Sequence, residues 1–167
     1  AGLASADAPA GQVQKVFAEK IQARVVDLKT GQFTTKQDPA TFDPLEAAKD
    51  PAQSIGLAGA DDIASIHRRE NETVVYLVEN DQHQLQTLIL PVRGYGLWST
   101  LHGFIALKAD LNTVVGLGFY QHAETAGLGG EVDNPRWRAL WPGKQVFADD
   151  GRPDIQIIKG SVDPSNP

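Results

Sequence analysis

The sequence predicts an α+β fold: a single domain built on a mainly antiparallel, twisted sheet with short peripheral helices. Between residues 63 and 120, short runs of apolar and β-branched residues are separated by polar turns, which is typical of successive hairpins. The chain has 167 residues, of which 41% are hydrophobic and 22% charged, as expected for one globular domain with a sizeable core. We therefore predict a flexible lead at residues 1–11, one domain at 12–160 and a polar tail at 161–167.

The first third of the chain predicts a helix, a strand and a scaffold segment. Residues 13–21 carry apolar side chains at helical spacing. Residues 23–28 alternate like a strand and end at the turn Lys29-Thr30-Gly31. Prolines then flank a short helix that begins near Asp43-Pro44, where proline suits the first helical turn. These elements are expected to wrap around the sheet.

The middle and the end of the chain predict most of the strands. Consecutive antiparallel strands are expected at residues 63–69, 72–79 and 84–90, with a further hairpin formed by 101–108 and 113–120. Asn134-Pro135 is a plausible helix start, and Trp137, Leu140 and Trp141 would form its apolar face. Residues 155–159 are predicted to form a last strand.

Composition excludes several classes of function. The net charge of −6, without a cluster of Lys or Arg, argues against a nucleic-acid surface. The chain has no cysteine, so disulfides and thiolate metal sites are excluded within it. Its histidines lack zinc-motif spacing, and no phosphate-binding glycine motif supports NADH binding. No apolar run is long enough for a membrane span. We predict no metal site and no catalytic side chain.

Two glycine-rich segments carry the most informative chemistry. RGYGLWST (Arg93–Thr100) places an aromatic pair beside glycines that are free to take positive φ, which suits a planar ring ligand. ETAGLGGE (Glu124–Glu131) exposes successive backbone N–H groups, a composition able to bind an anion or to open a short helix. From the residues alone, Trp98 is as compatible with a core position, and Glu124-Thr125 with a strand end and helix cap.

These two segments, with GFIALKADLNTVVGLGFYQHAE between them, resemble the FMN-binding domain of the C-subunit of the Na+-translocating NADH:quinone oxidoreductase. The G-subunit of the Rnf electron-transport complex is similar in the same segments, but the exact residues GYGLW and GLGGE favour the quinone reductase. Ala126 stands where family members usually have proline. The resemblance implies a domain that holds FMN and relays single electrons between cofactors of partner subunits.

The resemblance also implies which residues contact the flavin. The LWS segment lies against the isoalloxazine ring in the family, and the ET segment with the following Leu-Gly lies at the cofactor. The implied FMN-binding residues are Leu97, Trp98, Ser99, Glu124, Thr125, Leu128 and Gly129. In the family the FMN phosphate is esterified to a threonine in a C-terminal SGAT-like motif, which does not occur in this sequence. We therefore expect this chain to lack that covalent link.

The same resemblance implies the setting of the domain. Family members carry an N-terminal membrane helix, so the domain is expected on the periplasmic side of a bacterial inner membrane, with the other subunits of the reductase as partners. The isolated domain is expected to have no complete activity, because NADH oxidation, ubiquinone reduction and Na+ movement belong to those partners. Two alternatives remain: the ferredoxin-linked Rnf subunit, and a non-catalytic β-rich extracytoplasmic domain that binds a ligand through Tyr95 and Trp98.

Overall fold

A six-stranded antiparallel sheet forms the centre of the molecule. A computed structural model of the chain describes residues 20–158. The strand order across the large sheet is β2-β1-β5-β6-β7-β8, and β3 pairs with β4 in a separate two-stranded sheet. The strands are β1 Ile21–Asp27, β2 Gln32–Thr34, β3 Ser54–Gly56, β4 Arg68–Glu70, β5 Glu72–Glu79, β6 Leu85–Tyr95, β7 Thr100–Lys108 and β8 Val114–Gln121.

A short helix closes over the sheet. Helix α1, Pro44–Lys49, begins after Asp43, whose carboxylate caps it by accepting from the backbone N–H groups of Leu45 and Glu46. The helix packs against β3, β4 and β5 and buries its two alanines there. Val25, Val78 and Val114 are the largest fully buried side chains, so valines from the sheet make up most of the core, together with Leu107 and the two helix alanines. The predicted α+β class, with antiparallel strands and short helices, is confirmed.

The strand predicted at residues 63–69 is wrong for most of its length. Only Arg68–Glu70 is a strand, and it pairs with β3 in the small sheet instead of with β5. Ile63 is 94% exposed, and Ser65 and His67 have positive φ values of 51° and 61°. A left-handed backbone at alternate residues cannot continue a ladder, so this segment is a loop despite its apolar residues.

The strand predicted at residues 84–90 is longer than expected. β6 continues through Arg93-Gly94-Tyr95, and its last pair is Tyr95 opposite Thr100 of β7. The first glycine-rich segment is therefore the end of a hairpin, with the turn at residues 96–99. Gly94 and Gly96 do not adopt positive φ, contrary to the expectation from the sequence.

The part of the chain after β8 is mostly irregular. A 3₁₀ helix spans Gly129–Asp133 and leads into α2, Pro135–Arg138, which begins at the predicted Asn134-Pro135 and is capped by Asn134. The helix ends at Arg138, so its predicted continuation through Leu140 and Trp141 is wrong. Residues 155–158 contain no strand, so the predicted last strand is wrong for them, and Lys159 lies outside the described residues. The predicted lead, most of the helix at 13–21 and the polar tail also lie outside them. Within residues 20–158, no helix has the length and apolar character that crossing a membrane requires.

Candidate functional site

The two glycine-rich segments meet at the carboxylate of Glu124. Its Oε1 accepts hydrogen bonds from the backbone N–H groups of Trp98 (3.0 Å) and Ser99 (2.9 Å) and from the Ser99 hydroxyl (2.9 Å). Its Oε2 accepts from the backbone N–H of Leu97 (3.2 Å). We call this set of four bonds the Glu124 clamp. It ties the turn between β6 and β7 to the segment that follows β8.

Two positions next to this carboxylate, Gly96 and Gly129, have no room for a side chain. A Cβ at Gly96 would lie 2.8 Å from Glu124 Oε1 and would overlap the side chain of Leu101. A Cβ at Gly129 would overlap Glu124 Oε2 and would lie 3.0 Å from Glu124 Cβ. Both glycines therefore serve close approach, not an unusual backbone conformation. One glycine comes from each segment, so the two segments enclose the carboxylate from opposite sides.

The hydrogen bonds favour the ionised form of Glu124. The backbone N–H of Trp98 lowers the pKa of the Glu124 carboxyl most, and the Ser99 hydroxyl and the N–H groups of Ser99 and Leu97 lower it further. Desolvation acts in the opposite direction without cancelling this shift. A carboxylate that accepts several N–H bonds is stabilised in its charged form. At neutral pH Glu124 is therefore an acceptor for every donor of the clamp.

Further hydrogen bonds fix the backbone of the segment that carries Glu124. The Ser99 hydroxyl accepts from the backbone N–H of Ala123 (2.9 Å). The backbone N–H of Glu124 donates to His122 Nδ1 (3.2 Å), and His122 Nε2 lies 2.9 Å from Asp133 Oδ2. Because Nδ1 accepts a hydrogen bond, the ring hydrogen lies on Nε2 and is donated to Asp133. His122 and Asp133 thus anchor the segment to the 3₁₀ helix.

Large apolar side chains next to the clamp remain in solvent. Leu97 is 64% exposed, Trp98 66% and Leu128 64%. We call these three residues the apolar rim. Trp98 is therefore not a core residue, and that alternative interpretation of the sequence is wrong. Most large apolar side chains are buried on folding, so a group of exposed ones at a fixed turn indicates a binding surface.

The structure brings all the sequence-predicted site residues around one carboxylate. Leu97, Trp98 and Ser99 lie in the turn on one side, and Thr125, Leu128 and Gly129 follow Glu124 on the other. Gly129 opens the 3₁₀ helix, so the interpretation of the second segment as a helix start is confirmed. The Thr125 carbonyl accepts from the N–H groups of Leu128 and Gly130, which folds the second segment into a tight loop.

Two residues of the site have no signal in the sequence. The sequence analysis treats His122 only as one of the histidines that lack zinc-motif spacing, and it gives no reason to single out Asp133. In the structure both residues hold the loop through one imidazole ring. Nothing in their spacing of 11 residues indicates this pairing. Among residues 20–158, no three His, Asp or Glu side chains are arranged to hold a metal ion.

A cavity lies away from the Glu124 clamp, between α1 and the sheet. It has a volume of about 200 Å³ and is lined by residues that include Phe42, Tyr76, Arg93 and His102, and none of the predicted site residues lines it. Arg93 donates to Glu70 Oε2 at 2.5 Å and to the carbonyl of Arg68 at 3.0 Å. Burial, and then the charge of Arg93, lowers the pKa of His102. This polar cluster fastens β4 to the large sheet.

Comparisons with known proteins identify the family of the chain and the part of it that matches an FMN-binding domain. The FMN-binding domain family matches residues 96–163, which include the turn, the Glu124 clamp and the apolar rim. The chain is 61% identical to the Na+-translocating NADH-quinone reductase C-subunit of Pseudomonas aeruginosa, over 99% of this chain and 63% of that protein. It is 47% identical to the corresponding C-subunit of Yersinia pestis, over 100% of this chain and 62% of that protein. The chain thus spans less than two thirds of these relatives' length.

A solved structure of a related protein has the same fold as this chain. The crystal structure of Shewanella oneidensis NqrC superimposes with a TM-score of 0.87 and 33% sequence identity. The superposition covers 95% of this chain and 72% of that chain. Fold and sequence agree over nearly all of the chain, and the chain belongs to the C-subunit family of the Na+-translocating NADH-quinone reductases.

Proposed function

We propose that this chain is the FMN-carrying electron-transfer domain of a Na+-translocating NADH:quinone reductase. The observation that carries the proposal is the solvent-exposed apolar rim: Leu97 and Trp98 lie on the turn fixed by the Glu124 clamp, and Leu128 lies in the segment that the clamp ties to this turn. The match of the FMN-binding domain family to residues 96–163 supports the same surface. When bound, FMN supplies redox chemistry by accepting and giving up electrons one at a time.

The residues present fit a flavin. Covering an exposed Leu or Trp side chain with an apolar ring stabilises the complex by roughly 25 cal/mol per Å² of area removed from water. The rim offers such area on both sides of the clamp, at Leu97 and Trp98 and at Leu128. Thr125 is exposed beside them and carries a hydroxyl that can donate or accept at a polar ring edge. We therefore assign the ring contacts to Leu97, Trp98, Thr125 and Leu128.

The role of the chain's own residues is to bind and orient the ring and to limit its contact with water. An apolar wall beside a redox cofactor changes the relative stability of its charged and neutral forms, so the rim also influences the reduction potential. The domain relays electrons between cofactors of partner subunits, which carry out NADH oxidation, ubiquinone reduction and Na+ movement. It is held by an N-terminal helix on the periplasmic side of the inner membrane.

The experiment is a visible spectrum of the full-length protein, purified from cells that are able to attach flavin. A flavin spectrum is expected, whereas a colourless protein would favour the non-catalytic ligand-binding domain. A second measurement compares NADH-dependent quinone reduction by the complete complex with and without this protein. Loss of activity without it is expected. Activity that instead depends on ferredoxin would assign the protein to the Rnf complex.

A further inference from the structure

We infer that Glu124 is a positioning residue, which holds Leu97 and Trp98 of the apolar rim in place through the turn backbone and does not itself contact the flavin. The inference rests on the proposed function, because it concerns how the FMN-binding surface is built. Ser99 and Gly129 share this role. The residues that the family resemblance places at the cofactor then divide into a contact group and a supporting group.

The carboxylate has little acceptor capacity left for a ligand, because Oε1 accepts three hydrogen bonds and Oε2 accepts one while the Gly129 backbone lies close against it. An ionised carboxylate offers about four lone-pair sites. Glu124 accepts from the backbone N–H groups of Leu97, Trp98 and Ser99 and from the Ser99 hydroxyl. Gly96 and Gly129 approach the same oxygens so closely that neither has room for a Cβ. A flavin donor would have to compete with the Leu97 N–H and the nearby Gly129 backbone at Oε2, or displace the bonds to Trp98 and Ser99 at Oε1.

The Ser99 hydroxyl is also used within the protein. It donates to Glu124 Oε1 and accepts from the backbone N–H of Ala123, both at 2.9 Å. One hydroxyl thus joins the turn to the segment that follows β8. Ser99 and Glu124 form a closed set of bonds between the two glycine-rich segments, and their side chains have little capacity to recognise a cofactor as well.

The turn depends on these bonds because it has little apolar packing of its own. Leu97 and Trp98 both direct most of their surface to solvent. Their backbone N–H groups have Glu124 as acceptor. Without the carboxylate, water would satisfy these donors in many turn conformations, and the rim would lose its single orientation. The clamp therefore pre-organises the binding surface before any ligand arrives.

The test compares Glu124→Ala and Glu124→Gln in the full-length protein, prepared free of flavin. We expect the amides of Leu97, Trp98 and Ser99 to exchange hydrogen about tenfold faster or more in Glu124→Ala, since each loses a charge-assisted bond. Glu124→Gln keeps one carbonyl oxygen for Trp98 and Ser99 but presents an NH₂ group to Leu97, so its effect should be intermediate. A direct flavin ligand would leave exchange unchanged in the absence of flavin.

Asp110→Ala is the matched control, because the Asp110 carboxylate also accepts from turn N–H groups, but at the neighbouring β7–β8 turn and from residues close to it in sequence. It should speed exchange only at Asn112 and Thr113 and leave the flavin spectrum unchanged. In the flavin-loaded protein, both Glu124 variants should alter the reduction potential in the direction that Trp98→Ala does. If Glu124→Ala exchanges rapidly everywhere, it is unfolded and Glu124→Gln decides the question.

The outcomes separate this inference from the proposed function. Unchanged amide exchange at residues 97–99 in both variants, with loss of flavin, would overturn the positioning role and make Glu124 a ligand. Faster exchange confined to these residues, with a changed potential, would support it. A wild-type protein without flavin would overturn the proposed function, yet the exchange measurement would still decide whether Glu124 fixes the turn.

Discussion

Two neighbouring hairpin turns are held by a carboxylate in different ways. At the β7–β8 turn, Asp110 accepts from the N–H groups of Asn112 and Thr113, two and three residues away. At the β6–β7 turn, Glu124 accepts from residues 25 to 27 positions away. A local cap stabilises its own hairpin whatever the rest of the chain does. A remote cap makes the shape of one surface depend on a second segment, which is how a binding site is assembled from both.

The largest effect is expected for a contact that belongs to neither turn. Arg93→Ala removes one partner of the Arg93–Glu70 pair, whose side chains are only 17% and 11% exposed. Leaving one charge of a buried pair without its partner typically costs about 3–5 kcal/mol. We expect the midpoint of urea unfolding to fall accordingly, while residues 97–99 and 112–113 keep their exchange pattern in the folded fraction. If Arg93→Ala instead speeded amide exchange only at residues 97–99, the Glu124 clamp would depend on the Arg93–Glu70 pair, which would contradict this prediction.

The next effect is expected when the clamp is crowded. Gly96→Ala places a Cβ against Leu101 and Glu124, and overpacking of this kind costs about 1–3 kcal/mol. Gly116→Ala in β8 is the control, because nothing lies within 4 Å of its Cβ position. Gly96→Ala should lower both the unfolding midpoint and the flavin content, and Gly116→Ala should lower neither. If the two variants had the same unfolding midpoint and flavin content, the turn would be able to accommodate the added methyl group, and the prediction would be wrong.

A smaller effect on stability is expected at the rim itself. Trp98→Ala removes a side chain that is 66% exposed, and exposed substitutions usually change stability by no more than about 0.5 kcal/mol. Flavin retention should fall and the potential should change in the full-length protein. Trp141, which packs edge-on against Trp137 with 5.2 Å between ring centroids, provides the reverse control. Trp141→Ala should destabilise the fold and leave the flavin spectrum unchanged.

The mildest perturbation is a change of pH. Folding lowers the pKa of Glu124 below its ordinary value of 4.5, with the Trp98 N–H as the main cause. It lowers the pKa of Asp110 from 3.8 to about 2, with the Thr113 hydroxyl as the main cause. A lowered pKa contributes stability above the unfolded value, and this is lost as pH falls through the folded value. NMR titration should therefore show the amides of residues 97–99 changing below pH 4.5, and those of residues 112 and 113 only near pH 2.

These turns also show how far sequence reasoning reaches. The hairpins at Asn80 and Asp110 could be predicted because their turn residues bind their own backbone within a few positions. The loop around Ile63 could not, because the left-handed conformations at Ser65 and His67 override an apolar pattern. Family resemblance indicates the residues of the site, but the pairing of Glu124 with a distant turn has no local signal. Only the three-dimensional structure distinguishes the residues that hold the turn, such as Glu124 and Ser99, from those whose side chains are exposed, such as Trp98.

The separation of Glu124 from its turn has a consequence for the order of folding. As the chain is synthesised, residues 97–99 leave the ribosome before Glu124, and their N–H groups cannot bond to its carboxylate until β8 is paired with β7. The Asp110 turn can form as soon as Thr113 is present. Contacts between distant residues require loop closure and form late. The turn with the proposed flavin contacts is therefore expected to be among the last parts of the sheet to take shape, so a partly folded chain does not present it.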